Sequence, residues 1–335
     1  MASFREGAVS QVRVGVAGVG RLGAIHARIL GEIDRVDLKG IYDSSRERAA
    51  EVAGRYGCAA FATSEALWEA CDAVVIAVPT SQHHSVAGAA LDAGCHVLVE
   101  KPLAATLAEA DDLIGRAGAA DRFLAVGHVE RFNPVIRACR DLMDNPRFLT
   151  CLRLARFQPR GTDVAVTLDL MIHDIDLVLG LVDSRVESFE AIGVPLITDT
   201  VDMANARLRF ANGAIADVSA SRASVQPTRE LRVFQESGYF SLDLAAGRGE
   251  FLRRRSPPPV LEDPAAASLA DFVERTEIEG DGTEPLRAEL EAFVAALSGE
   301  ASAIVTGREG RDALAIALNI SREIERYQHA TAQNS

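Results

Sequence analysis

Lysine is almost missing from this chain: Lys39 and Lys101 stand alone against 33 arginines in 335 residues. Aromatic residues are also scarce, 5% with one tryptophan, and basic charge is outweighed, leaving a formal net charge of -13. An acidic balance argues against nucleic acid or an anionic membrane as partner, because both are bound through basic surfaces. No apolar run approaches the roughly 20 residues that span a bilayer, and Met1 to Gln11 lacks the apolar centre of a secretory signal. The five cysteines, Cys58, Cys71, Cys95, Cys139 and Cys151, are an odd set without CxxC pairs or Cys/His ligand spacing. No metal site is therefore expected, and the thiols are expected to be reduced in a cytoplasmic protein. What is present, 48% hydrophobic residues over this length, suits a two-domain soluble enzyme.

The most informative stretch near the start is Gly18-Val19-Gly20-Arg21-Leu22-Gly23, preceded by an apolar strand and followed by Ile25, Ile29, Leu30 and Ile33 at helical spacing. Strand, glycine turn and helix form a dinucleotide-binding unit. Gly18 permits the tight turn, Gly20 lets the backbone approach a pyrophosphate, and Gly23 lets helix and strand pack closely. A second apolar strand, Val36 to Tyr42, ends at Asp43, 20 residues beyond Gly23, where a carboxylate can accept both hydroxyls of an adenosine ribose. Asp43 would repel the 2'-phosphate of NADP, so NAD is the expected cofactor; an arginine three residues on, Arg46, is the group that could offset that repulsion.

Strands and helices keep alternating through Ala73 to Val78, a helix from His84 to Ala93, the strand His96 to Val99, a helix capped by Thr106 and Glu109, and the strand Phe123 to Val126. This predicts a parallel sheet covered by helices on both faces, with Pro79, Thr80 and Glu100 at strand carboxyl ends where such sheets bind ligands. Lys101 follows directly. A lysine kept where arginine is the habit suggests chemistry, since its pKa moves on burial and it can exchange a proton. Beyond Gly127 the pattern changes. A helix from Asn133 to Met143 precedes a strand from Phe148 to Phe157 and a helix from Val166 to Leu181. Strands follow at Val186 to Val194, Met203 to Phe210, Ala214 to Ser221 and Arg229 to Gln235, with an Asn212-Gly213 hairpin turn. Arg253 to Ala267, with three successive prolines, reads as a loop, and two helices, Leu286 to Leu297 and Arg308 to Tyr327, close the chain. The expected architecture is α/β: an N-terminal Rossmann doubly wound parallel sheet (1–126), then an α+β domain (127–330) with a large, mostly antiparallel open sheet. The C-terminal helices pack back toward the first domain.

In the helix of the second domain, positions 168, 171, 172, 175 and 179 are apolar. Asp169 and His173, four apart, share another face, extended by Asp176 and Gly180. A carboxylate beside an imidazole can orient it and keep it basic, which a general base near neutral pH requires. A surface ion pair would show the same spacing.

The order of these features, with Pro79-Thr80-Ser81-Gln82-His83, Gly94-Cys95-His96-Val97 running into Glu100-Lys101-Pro102, and Asp169 with His173, resembles the Gfo/Idh/MocA oxidoreductases over nearly the whole chain. The resemblance implies oxidation of a ring hydroxyl and oligomer contacts through the open sheet, as a homodimer or homotetramer. It implies cofactor contacts from Gly18, Gly20, Arg21, Leu22, Gly23, Asp43, Pro79, Thr80, His83, Glu100 and Lys101. Glu100 would contact the nicotinamide-side ribose, and Lys101, Asp169 and His173 would face the reacting oxygen. Either His173 or Lys101 would take the hydroxyl proton. Within the family, Gly127 to Pro134 and Pro195 to Met203 are similar to the UDP-N-acetylglucosamine 3-dehydrogenase branch, whose 3-keto product passes to an aminotransferase in lipid A biosynthesis. A diphosphate needs cations, and Arg131, Arg156, Arg160 and Arg222 stand near loop or strand ends; Arg131, Asn133 and Arg160 are the expected substrate contacts. The competing readings are a dehydrogenase of a free sugar or inositol, an NAD-dependent glycosidase, and a non-catalytic NAD-binding sensor. The last has no use for Lys101, Asp169 and His173 together.

Overall fold

The computed structural model describes residues 11–159, 164–260 and 264–332. They form two compact units: one holds the residues up to His128 together with Leu286–Arg311, the other Val129–Pro285 and the residues from Asp312 onward.

In the first unit β1 (Val12–Ala17), α1 (Arg21–Leu30), β2 (Val36–Tyr42), α2 (Arg46–Tyr56), β3 (Ala59–Ala60), α3 (Ser64–Ala70), β4 (Ala73–Ile76), α4 (Thr80–Asp92), β5 (His96–Glu100), α5 (Leu107–Ala120) and β6 (Leu124–Gly127) alternate. Among the described residues six strands make one parallel sheet, ordered β3-β2-β1-β4-β5-β6. This is the doubly wound order, with its switch point between β1 and β4. All of β4 is buried, as are Val97, Leu98 and Val99 of β5, which is why these strands are continuous apolar runs rather than alternating ones. The helices start where side-chain oxygens can take first-turn N–H groups. Ser45 caps α2, Thr63 caps α3, and Thr106 with Glu109 forms the capping box of α5.

The second unit contains α6 (Pro134–Cys139), β7 (Phe148–Leu154), α7 (Ile172–Val182), β8 (Val186–Val194), β9 (Met203–Phe210), β10 (Ile215–Ser221), β11 (Thr228–Gln235), β12 (Gly238–Asp243), β13 (Arg248–Arg254), α8 (Leu269–Phe272) and β14 (Val273–Glu279). Among the described residues eight strands form its sheet, ordered β14-β13-β12-β11-β7-β10-β9-β8; β7 and β10 run parallel and the other neighbours antiparallel. Asn212-Gly213 turns β9 into β10, with Gly213 at φ +82. Met171, Ile172, Ile175 and Val178 share a core with Ala206, Leu208, Ala216 and Val218 of the sheet. Each fully buried aliphatic side chain of this kind contributes roughly 1.5–3 kcal/mol. The chain then runs through α9 (Pro285–Leu297) and α10 (Gly307–Ala332); Ala313, Ala317, Ile320 and Ile324 of α10 join the second core.

Three expectations change. The segment expected to be a helix from Asn133 to Met143 is the short α6 followed by a 3-10 turn, Arg140–Leu142. The helix expected from Val166 begins instead as a π-turn, Thr167–Met171, before α7. The expected loop from Arg253 lies partly in β13, and β14 follows it as a strand of which only Ile278 is buried.

Candidate active site

The glycine turn divides by what each missing side chain makes room for. A Cβ on Gly18, whose φ is +84, would lie 2.8 Å from the Ala77 carbonyl, and one on Gly23 would lie 1.8 Å from Gly18 O. These two glycines are required by the protein's own packing. A Cβ on Gly20 would meet nothing within 4 Å. The space beside Gly20 opens at the N-terminus of α1, where the cap provides no side-chain bond and the first turn, with Arg21 and Leu22, has no acidic residue. Open space plus uncapped N–H groups fits the pyrophosphate of a dinucleotide.

Asp43 closes the other side of the turn. It is 7% exposed; its Oδ2 accepts the Val19 N–H at 2.9 Å and its Oδ1 accepts the Ser45 N–H at 2.8 Å. An ionised carboxylate has about four acceptor positions, so two remain for ribose hydroxyls. Arg48 also stands beside it, with Nη1 3.6 Å from Asp43 Oδ2.

At the end of β5, Glu100 is buried. Its Oε1 is 2.7 Å from His26 Nε2, and its Oε2 accepts the Lys101 N–H at 3.2 Å. Gly127 on β6 leaves room for this carboxylate, since a Cβ there would stand 3.1 Å from Glu100 Oε2. Burial alone pushes the Glu100 carboxyl up, but the hydrogen bond and charge of His26, with the charge and N–H of Lys101, bring it below its ordinary value. Lys101 is half-buried and its bond to Pro102 is cis. The other lysine, Lys39, pairs with Asp37 at 2.5 Å on the surface. His83, expected among the cofactor contacts, is buried, and its ring lies between two carbonyls, Nδ1 2.8 Å from Pro102 O and Nε2 2.9 Å from Val78 O. It therefore ties the ends of β4 and β5 together. Burial lowers its pKa, and the two carbonyls and Glu100 pull the other way. Thr80 opens α4 half-buried beside exposed Pro79.

His26 is the site residue that sequence reasoning missed. Its only signal is position: it falls with Ile29 and Leu30 on the buried side of α1, and a polar group buried there needs a partner.

In the second unit Asp169 lies in the π-turn and His173 in the first turn of α7, both half-buried. Single π-turns inside helices are frequent at functional sites. Asp176, expected to extend their face, is fully buried and takes Arg131 in a two-point pair, at 2.8 and 2.7 Å. Arg131 is thus held by the fold rather than presented to a diphosphate, and Gly180 accommodates it: a Cβ there would approach Arg131 Cζ to 2.9 Å. Asn133 is likewise turned inward, donating to Leu244 O at 2.8 Å and capping α6 through Val135 N. Arg160 lies outside the described residues. A neighbouring buried network joins Arg153 to Asp174 and Glu130. Burial pushes the Glu130 carboxyl up but the charges of Arg153 and Arg229 bring it below its ordinary value, whereas for Asp174 burial prevails and raises it. Asp202 organises the Pro195–Met203 stretch, its Oδ2 accepting N–H groups from Leu196, Ile197 and Thr198 at 2.9, 2.6 and 2.8 Å. Lys101 belongs to the first unit, and Asp169 and His173 to the second.

A doubly wound sheet with this glycine turn and Asp43 defines a dinucleotide-binding fold. Residues 12–128 match the family model described as oxidoreductase family, NAD-binding Rossmann fold, and residues 147–241 match the Gfo/Idh/MocA C-terminal domain. The chain belongs to the Gfo/Idh/MocA family and is an NAD(P)-dependent dehydrogenase. It is 38% identical over 321 residues to the UDP-N-acetylglucosamine 3-dehydrogenase of Acidithiobacillus ferrooxidans, covering 94% of this chain and 98% of that one. A solved structure of the Acidithiobacillus enzyme is similar with a TM-score of 0.87, covering 95% of this chain and 98% of its own. The myo-inositol 2-dehydrogenase of Thermotoga maritima is 27% identical over 337 residues, covering 94% and 96% of the two chains.

Proposed function

We propose that the protein oxidises a ring hydroxyl of a sugar with NAD, and that the sugar is UDP-N-acetylglucosamine, taken at C3 to the 3-keto product. The observation that carries this reading is the 38% identity to the Acidithiobacillus enzyme over almost the full length of both chains. NAD over NADP is supported by Asp43, whose carboxylate would face a 2'-phosphate. A bound nicotinamide dinucleotide supplies the hydride acceptor. The chain's own residues hold it and manage the proton. The turn at Gly18 to Gly23 receives the diphosphate, and Asp43 receives the adenosine ribose. Neutral His173, its tautomer held by Asp169, takes the hydroxyl proton while protonated Lys101 stabilises the developing alkoxide; in the alternative assignment Lys101 takes the proton. The open sheet of the second unit is the surface we assign to a homo-oligomer.

The test is incubation with NAD and UDP-N-acetylglucosamine, with an aminotransferase and glutamate to draw off a keto product, following NADH absorbance and the nucleotide-sugar mass. Loss of two hydrogens, or a 3-amino product, together with NADH is the expected outcome. Absence of turnover with dinucleotide binding intact overturns the substrate assignment. It would favour the second reading, oxidation of a free sugar or inositol, which the full-length likeness to the Thermotoga enzyme supports.

A further inference from the structure

A nucleotide sugar brings two negative charges at its diphosphate to a protein of net charge -13, so local arginines must meet it. Most arginines near the start of α7 are already engaged. Arg131 is paired with Asp176, Arg153 with Glu130 and Asp174, and Arg229 with Glu130. Arg222 is buried; it donates to Val164 O, and its Nε stands 3.8 Å from Asp202. Arg156 differs. It is exposed and, among the described residues, pairs with no carboxylate; its Nε donates to Val225 O at 3.2 Å. That bond occupies Nε and leaves the two terminal amino groups to form a fork for an anion.

The backbone that carries Arg156 is also fixed. β7 and β10 are the parallel pair of the second sheet, so their carboxyl ends leave it side by side. Their pairing continues beyond the strands, with Ala155 N–H donating to Ser221 O at 2.7 Å and Ser224 N–H to Ala155 O at 3.1 Å. At the same rim the chain enters the π-turn that carries Asp169: Arg222 holds Val164 O, and Val166 N–H donates to Val201 O at 3.0 Å. Exposed apolar groups accompany the cation here, Phe157 and Val164 each 38% exposed and Val225 88% exposed. An exposed guanidinium on a rim that also exposes apolar side chains suits a ligand carrying both an anionic diphosphate and less polar groups.

We propose that Arg156 is the residue that binds the diphosphate of the substrate and so selects a nucleoside-diphosphate sugar over a free sugar. The assignment rests on the nucleotide-sugar reading above. The test uses the full-length protein with NAD, as wild type, Arg156→Ala and Arg156→Lys, and reads kcat, the KM of UDP-N-acetylglucosamine, the KM of NAD and the inhibition constant of UDP. Arg156→Ala should raise the sugar-nucleotide KM and the UDP inhibition constant together by about 10- to 100-fold, with kcat changed less than about threefold and the KM of NAD unchanged. Arg156→Lys should recover part of the loss, because it restores charge without the fork. If Arg156→Ala oxidises UDP-N-acetylglucosamine with wild-type KM, or loses KM without losing inhibition by UDP, the role of Arg156 is overturned while the activity stands. If the wild type ignores UDP and oxidises only free sugars, the nucleotide-sugar reading falls and this assignment falls with it.

Discussion

His26 on α1 and Glu100 at the end of β5 are 74 positions apart in sequence and 2.7 Å apart in space, both buried. The bond gives a buried carboxylate the donor it needs and anchors the strand end that precedes Lys101. Because the folded-state pKa of Glu100 is lowered from 4.5, its charged form stabilises the fold fully above that value, and this contribution is lost as pH falls through the depressed one. His26→Ala should therefore cost about 1–3 kcal/mol near neutral pH and less in acid, where Glu100 is protonated. Denaturant unfolding at the two pH values measures the difference. An equal loss at both would mean that the charge of Glu100 is not what the bond supports.

The two lysines make an internally controlled pair. Lys39→Ala removes a surface ion pair and should change stability by no more than about 1 kcal/mol, with turnover unaffected. Lys101→Ala should lower kcat by roughly a thousandfold or more while leaving the dissociation constant of NADH, measured by fluorescence titration, within about tenfold. Retained turnover would remove Lys101 from the proton-handling role.

Much of the first unit was legible because its signals are local. The alternation of apolar runs with capped helices gave β2 and the parallel sheet, and Gly18, Gly23 and Asp43 act within a few residues of one another in space. What escaped was of two kinds. The strands β13 and β14 were missed because they carry many charged residues; Val273–Glu279 buries one residue of seven, leaving little period-2 contrast to read. The partners of buried charges were missed because Arg131 with Asp176 and His26 with Glu100 are long-range pairs that no spacing rule encodes. The π-turn at Asp169 is a third case, since a helical period assumes the ordinary hydrogen-bond register from the first turn onward.

The glycine turn yields a prediction with opposite outcomes at neighbouring positions. Gly20→Ala adds a methyl that meets nothing in the protein, so stability should stay within about 0.5 kcal/mol while NADH affinity falls, because the methyl occupies space the pyrophosphate needs. Gly23→Ala forces a methyl to within 1.8 Å of Gly18 O and should destabilise the first unit before any ligand is added. Thermal unfolding without ligand, followed by NADH titration of whatever folds, separates the two. Unchanged NADH binding in Gly20→Ala would place the pyrophosphate elsewhere.

Arg131 provides the sharpest contrast with Arg156, because one arginine is held by the fold and the other is exposed. Arg131 is 8% exposed and Asp176 is fully buried, and the two make a two-point pair against Gly180. Removing one partner of such a pair strands the other charge away from water, at a cost of about 3–5 kcal/mol. Arg131→Ala should therefore lower the unfolding midpoint strongly, and any protein that stays folded should keep its KM for the sugar nucleotide, the opposite of the pattern expected for Arg156→Ala. Replacing both groups, Arg131→Met with Asp176→Leu, should restore most of the lost stability, since two apolar side chains leave no charge to solvate. If Arg131→Ala instead stays stable and shows a raised KM, the guanidinium leaves Asp176 in solution to reach the substrate, and the ion pair is a resting arrangement rather than a structural one.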